Sequence, residues 1–275
     1  MTIEETPCAR AFARLCADGV ALGWHEANGG NLSYRMTSAD VAACGSEFAT
    51  DAPWQPLAFA EPSLGGSFFM VTGSGKYLRN VDDQFADAVG IIELNDDGSA
   101  WRLVWGLEST ARPTSELPTH LMNHAIRMRA TNGADRVIYH SHCPNVIALS
   151  TILPPDARIW SRALWQCMTE VVMLLPQGVG VVPWMVPGST DIARATAACM
   201  ETQNAVVWTQ HGMFVAGASF DDAFGRMHVV EKAAGLYLSA RAASGGHDPE
   251  FLIPGDHLRA VCESLGVAAN EQYLD

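Results

Sequence analysis

In the first half of the chain the apolar residues come in short runs closed by Gly, Asn or Asp: Leu32–Met36, Phe68–Val71, Ile91–Leu94 and Trp101–Trp105. Runs of this length between turn residues read as strands. Strand-like stretches at 136–140, 171–175, 179–183 and 205–209 then alternate with helical ones. The helices are expected from about Thr6 to Ala27, Thr114 to Asn132, Pro144 to Leu153, Arg158 to Thr169, Ser189 to Thr202, Asp221 to Arg241 and Asp256 to Leu265. A strand meander followed by alternation predicts an α/β fold with a mixed sheet covered by helices. Residues 37–66, rich in Ala, Pro, Gly and Ser, are expected to form a long loop, and no composition break divides the 275 residues, so one domain spanning 1–275 is expected.

Composition narrows the function. With 17 basic against 30 acidic side chains the formal charge is −13, which disfavours nucleic acid as a partner. Hydrophobic residues make up 48% and charged ones 17%, enough for a sizeable core and far from the disordered class. The apolar segment Val171–Val186 is broken by Pro176, Gly178, Gly180 and Pro183, so no membrane span is expected. Acidic and hydroxyl residues near the start stand where a secretory signal needs basic ones, and the seven cysteines form no CxxC pair. Reduced thiols and a cytoplasmic location are the expectation.

Chemistry concentrates in a few places. His140-Ser141-His142 ends a strand-like run, and side chains at i and i+2 of a strand share a face, so the two imidazoles can chelate one metal ion. A structural or surface pair is the competing reading. His211, at the end of Val206–Gln210 and followed by Gly212, offers a third imidazole, and three histidines leave a coordination position open for substrate. Glu116, at a helix start, is either a first-turn acid favoured by the helix dipole or a general base beside the metal. The turns Asn28-Gly-Gly-Asn31 and Thr72-Gly-Ser-Gly75 can converge backbone N–H groups on an oxyanion, or simply be turns. Thr114 and Ser115 at a helix N-terminus could add donors. The string GSGK is no Walker motif, because its spacing is wrong and Tyr77 follows Lys76. Lys76 and Lys232 are the only lysines and neither sits where a desolvated Schiff-base nucleophile would, which favours metal chemistry. The other histidines, among them His25, His120 and His124, and the tryptophans Trp101, Trp105, Trp160, Trp165, Trp184 and Trp208 are assigned to packing, surface or subunit contacts.

Taken in order, the segments GWHEANGGNLSYR, FFMVTGSGKYLRNV, WGLESTARPTSELPTHL, RVIYHSHCPNVIAL, LLPQGVGVVPWMVPG and WTQHGMFVAG resemble the class II aldolase/adducin family over essentially the whole chain. The resemblance implies a three-layer fold with a mainly antiparallel sheet between helices. It implies one zinc ion per subunit held by His140, His142 and His211, with Glu116 as catalytic acid/base. Asn28, Asn31, Ser74, Gly75, Thr114 and Ser115 are the implied phosphate-binding set, and Glu170 the acid contributed by a neighbouring subunit of a homotetramer. The implied reaction is reversible cleavage of L-rhamnulose 1-phosphate, in rhamnose catabolism, into dihydroxyacetone phosphate and L-lactaldehyde. Alternatives within the family are cleavage of L-fuculose 1-phosphate, 4-epimerisation of a pentulose phosphate, and an adducin-like interaction domain without catalysis. The histidines and Glu116 speak against the last.

Overall fold

The computed structural model describes residues 2–274. Helix α1 (Pro7–Ala21) starts at Thr6, whose hydroxyl accepts from the Ala9 N–H, with Pro7 in the first helical position. It stops short of Ala27 because Gly23 turns the chain at φ +75°. Strand β1 (Asn31–Arg35) follows the NGGN turn. The predicted loop at 37–66 instead carries helix α2 (Ser38–Cys44), set by a capping box between Thr37 and Asp40, and the two-residue edge strand β2 (Gln55–Pro56). Then come β3 (Phe68–Thr72), α3 (Phe85–Ala88), β4 (Val89–Leu94), β5 (Ala100–Gly106), α4 (Leu117–Ala130) and β6 (Val137–Ser141). The rest comprises α5 (Pro144–Leu149), α6 (Ala157–Cys167), α7 (Thr169–Leu174), β7 (Gly180–Val182), α8 (Thr190–Met200), β8 (Ala205–Trp208), β9 (Gly212–Gly217), α9 (Phe220–Ala243) and α10 (Gly255–Leu265).

The nine strands among the described residues join one sheet in the order β2-β5-β4-β3-β1-β6-β9-β8-β7. Every neighbouring pair is antiparallel except β7 and β8. Alternation along the strands sends residues to two faces. Val137, Tyr139, Met213 and Val215 pack with Phe12 of α1, Val146 of α5, Trp160 of α6 and Met227 of α9. On the opposite face Phe69, Val71 and Ile92 meet Leu121 and Ala125 of α4, while Ile138, Val206 and Phe214 meet Ile192 and Met200 of α8. A mixed, mainly antiparallel sheet between two helical layers is therefore what forms, as expected. Each fully buried side chain of this size contributes about 1.5–3 kcal/mol.

Two further assignments change. Val171–Leu175, expected to be extended, lies almost entirely in helix α7, with Val171 and Val172 fully buried against the core. Burial of that face outweighs the strand preference of the β-branched residues. Gly212–Gly217, not recognised as a strand, is β9, buried along its whole length and lying between β6 and β8. Among the tryptophans, Trp160, Trp165 and Trp208 are core residues, whereas Trp184 is 62% exposed. The cysteines are free, five of them buried, and no helix among the described residues is long and apolar enough to cross a membrane.

The sheet order positions the site. Because β1 runs antiparallel to both β3 and β6, and β6 antiparallel to β9, the start of β1, the ends of β3 and β6 and the start of β9 share one end of the sheet. The NGGN turn, the GSG turn, the HxH segment and His211 are the chain pieces at those four points.

Candidate active site

His140 is held first by its strand. It pairs with Asn31 on one side and Phe214 on the other, and its ring stacks on the Phe214 ring at 4.3 Å between centroids. Its Nδ1 lies 3.0 Å from the Met213 carbonyl oxygen, which can only accept, so the hydrogen sits on Nδ1 and Nε2 presents a lone pair. That Nε2 is buried and has no hydrogen-bond partner. His142 leaves the strand end on the same face, and its Nδ1 donates to the Glu26 carboxylate at 2.5 Å. His211 closes the turn from β8 to β9. Gln210 before it adopts φ +55°, with its backbone N–H on Ser150 Oγ at 2.8 Å and its side-chain amide on the Ser150 carbonyl at 2.6 Å. Glycine is required next, because a Cβ on Gly212 would press into the Ser141 carbonyl.

The three imidazoles thus converge, one ligand atom from each lying within 4.8 Å of the others. Burial, with His142 and His211 close by, holds the pKa of His140 far below the ordinary histidine range, and burial and His142 lower that of His211 to about 4. Three imidazoles with an orphaned buried nitrogen among them are a donor set suited to a divalent metal. Three ligands and one open side match the arrangement of a catalytic rather than a structural site. Glu26 behind His142 supplies the carboxylate partner that fixes a ligand's orientation. It was not recognised in the sequence, where nothing in its spacing marks it.

Glu116 comes from the residue preceding α4. Its carboxylate is 7% exposed, lies 3.7 Å from His140 Nε2 and accepts from the Asn31 amide at 2.9 Å. Burial raises its pKa, opposed by the Asn31 hydrogen bond and by His142. The segment before it is stitched to the GSG turn: Ser74 N–H donates to the Arg112 carbonyl and Thr114 N–H to the Thr72 carbonyl, both at 2.9 Å. The NGGN turn is braced from below by His25, whose Nδ1 bonds the Gly29 carbonyl at 3.0 Å and whose Nε2 meets the Tyr139 hydroxyl at 2.6 Å. His25 is therefore more than a packing residue. Gly30, at φ +77°, lies so close to His25 and the His140 carbonyl that no side chain fits.

A cavity of about 290 Å³ results, with the NGGN turn, the GSG turn, Thr114, Ser115, Glu116, the three histidines and Pro187 around it. Every residue of the implied metal, acid/base and phosphate set lines it except Glu170, which is exposed on the first turn of α7. Asn31 has a second task beside the one expected of it. Its side-chain amide is bonded at both ends, to Glu116 and to His120, so it supports the carboxylate with one of its two amide hydrogens. Lys76 is tied to Asp87 at 2.5 Å and Ser109 at 2.6 Å, outside this cavity.

The family model for the class II aldolase and adducin N-terminal domain matches residues 10–238. The chain belongs to that family. Among curated class II aldolases, the rhamnulose-1-phosphate aldolase of Escherichia fergusonii is 41% identical over 265 residues, 96% of each chain. That of Escherichia coli is 43% identical with the same coverage. Of solved structures, a sugar-phosphate aldolase from Thermotoga maritima superposes with a TM-score of 0.73 at 26% identity, covering 87% of this chain and 96% of that one. An L-fuculose-1-phosphate aldolase from Thermus thermophilus shares the fold with a TM-score of 0.57 at 19% identity, over 88% and 97% of the two chains.

Proposed function

We propose that this class II aldolase reversibly cleaves L-rhamnulose 1-phosphate into dihydroxyacetone phosphate and L-lactaldehyde, and that zinc, one ion per chain, is its metal. The observation carrying the reading is the buried Glu116 carboxylate 3.7 Å from the unpartnered Nε2 of His140, with two more imidazoles beside it and two glycine turns facing them. Relatives at 41% and 43% identity over 96% of the chain, named for this substrate, support the choice of sugar.

His140, His142 and His211 would hold the metal, which when bound supplies a Lewis acid that draws electrons from the ketose carbonyl. The phosphate is received by backbone N–H groups of the two glycine turns, with Asn28, Asn31, Ser74 at Gly75, Thr114 and Ser115 adding side-chain and helix-start donors. No lysine is needed there, in keeping with the formal charge of −13. Glu116 handles the proton at C3. In the cleavage direction the C3–C4 bond breaks and Glu116 returns a proton to C3; in the synthetic direction it removes that proton from dihydroxyacetone phosphate. Its raised pKa makes it a stronger base than a solvated carboxylate and lets the proton be held between the two steps.

Glu170 lies outside its own chain's cavity on an exposed helical turn. In this proposal Glu170 of an adjacent copy, in a homotetramer, exchanges the proton of the C4 hydroxyl, and the enzyme works in the cytoplasm. Cleavage assays with L-rhamnulose 1-phosphate and L-fuculose 1-phosphate side by side test the substrate. Faster turnover of the rhamnulose ester is expected; faster turnover of the fuculose ester would overturn the assignment.

A further inference from the structure

Behind the cavity a row of buried polar side chains runs from Glu116 across the β1–α4 contact. Asn31 Nδ2 donates to Glu116 Oε2 at 2.9 Å, and Asn31 Oδ1 lies 2.5 Å from His120 Nε2. His120 Nδ1 lies 2.6 Å from Ser33 Oγ, and Ser33 Oγ lies 2.8 Å from His124 Nε2. Ser33, His120 and His124 are at most 1% exposed.

The sense of every bond follows from its neighbour. An ionised carboxylate only accepts, so the Asn31 amide must present its NH₂ group there and its oxygen to His120. His120 Nε2 then carries the hydrogen. Burial lowers the His120 pKa to about 3, so the ring is neutral and Nδ1 is bare, accepting from the Ser33 hydroxyl. Ser33 in turn accepts from His124 Nε2–H, which leaves His124 Nδ1 as the row's one unpartnered nitrogen. All four hydrogens point toward Glu116.

We propose that His120 is a positioning residue for the reaction: backed by Ser33, it locks the Asn31 amide in the orientation that donates to Glu116, and so holds the carboxylate facing His140. Without the His120 donor the Asn31 oxygen would be buried and unpaired, and the amide would gain by turning away from Glu116. An apolar residue could fill the space that His120 fills beside Phe214, but it would leave that oxygen orphaned. The inference rests on the reading of Glu116 as the acid/base.

The test compares His120→Leu with His120→Gln in the full-length, metal-loaded enzyme. Misdirecting a reacting group costs turnover more than substrate affinity. The leucine variant should lose about tenfold or more in kcat, keep KM within about twofold and keep its metal. The glutamine variant, which retains an N–H donor, should recover most of that loss. Ser33→Ala, a milder change, should lower kcat in the same sense. Imidazole ¹⁵N spectra of the native chain should show His120 neutral with its hydrogen on Nε2. Equal losses in the leucine and glutamine variants, native kcat in the leucine variant, or a hydrogen on Nδ1 would each overturn the proposal. Glu116→Gln keeps the two readings apart: if it is active, the role of Glu116 falls; if it is inactive while His120→Leu turns over normally, only the positioning role falls.

Discussion

The two ends of the central β1–β6 strand pair are built on opposite principles. At the far end Arg127 Nε meets the Asp135 carboxylate at 2.8 Å, both about 5% exposed, and another Arg127 nitrogen donates to the Met200 carbonyl at 2.9 Å. Arg35 there donates to the Gly133 carbonyl at 2.8 Å. Arg127 and Asp135 are thus matched within the chain, whereas Arg35 meets only backbone carbonyls and its Nε has no hydrogen-bond partner. At the near end three imidazoles are brought together, burial holds the pKa of His140 well down, and His140 Nε2 has no hydrogen-bond partner. One strand pair therefore carries an anchored end and an end whose binding capacity is left open. A buried ion pair is costly to break, whereas an orphaned ligand nitrogen gains its partner only when something binds.

Substitutions at the two ends should separate these roles. The largest effect is expected for His140→Ala, which should abolish both metal retention and aldol cleavage, checked by elemental analysis and turnover; a fully metallated variant would remove the contrast. Next, Asp135→Ala should lower unfolding free energy by about 3–5 kcal/mol by stranding Arg127, while kcat per folded molecule stays within about twofold. Denaturant unfolding beside a turnover assay reads both quantities. Glu26→Gln should weaken metal affinity roughly 10–100-fold, read by competition with a chelator, because His142 loses the carboxylate behind it.

The smallest effect is on acid stability. His120 titrates near 6.5 when unfolded but only at about 3 in the fold, so its neutral form contributes fully above pH 6.5 and that contribution fades as pH falls toward 3. His120→Gln should therefore flatten the fall in unfolding free energy between pH 6 and 4 by up to about 1.4 kcal/mol per pH unit, measured on metal-free protein.

Much of the near end was legible in the sequence, because local rules govern it. Strand parity put His140 and His142 on one face, and glycines marked the turns. The strand β9, fully buried and flanked by glycine, gave no alternation to read, and α7 hid behind β-branched residues whose burial sets their conformation. The supports of the site were harder still. Glu26 reaches His142 across 116 positions and His120 reaches Asn31 across 89, and no local period encodes such pairs. The tie of Asn31 to Glu116 was hidden for the same reason: it exists only once β1 and the start of α4 come together.

The most direct test is to strip the enzyme with a chelator, measure metal per chain and L-rhamnulose 1-phosphate cleavage, then restore zinc. Loss of about one ion per chain with loss of turnover, both recovered on zinc addition, is the expected result. Undiminished cleavage by the stripped enzyme, or borohydride trapping of an imine on Lys76 or Lys232, would contradict it.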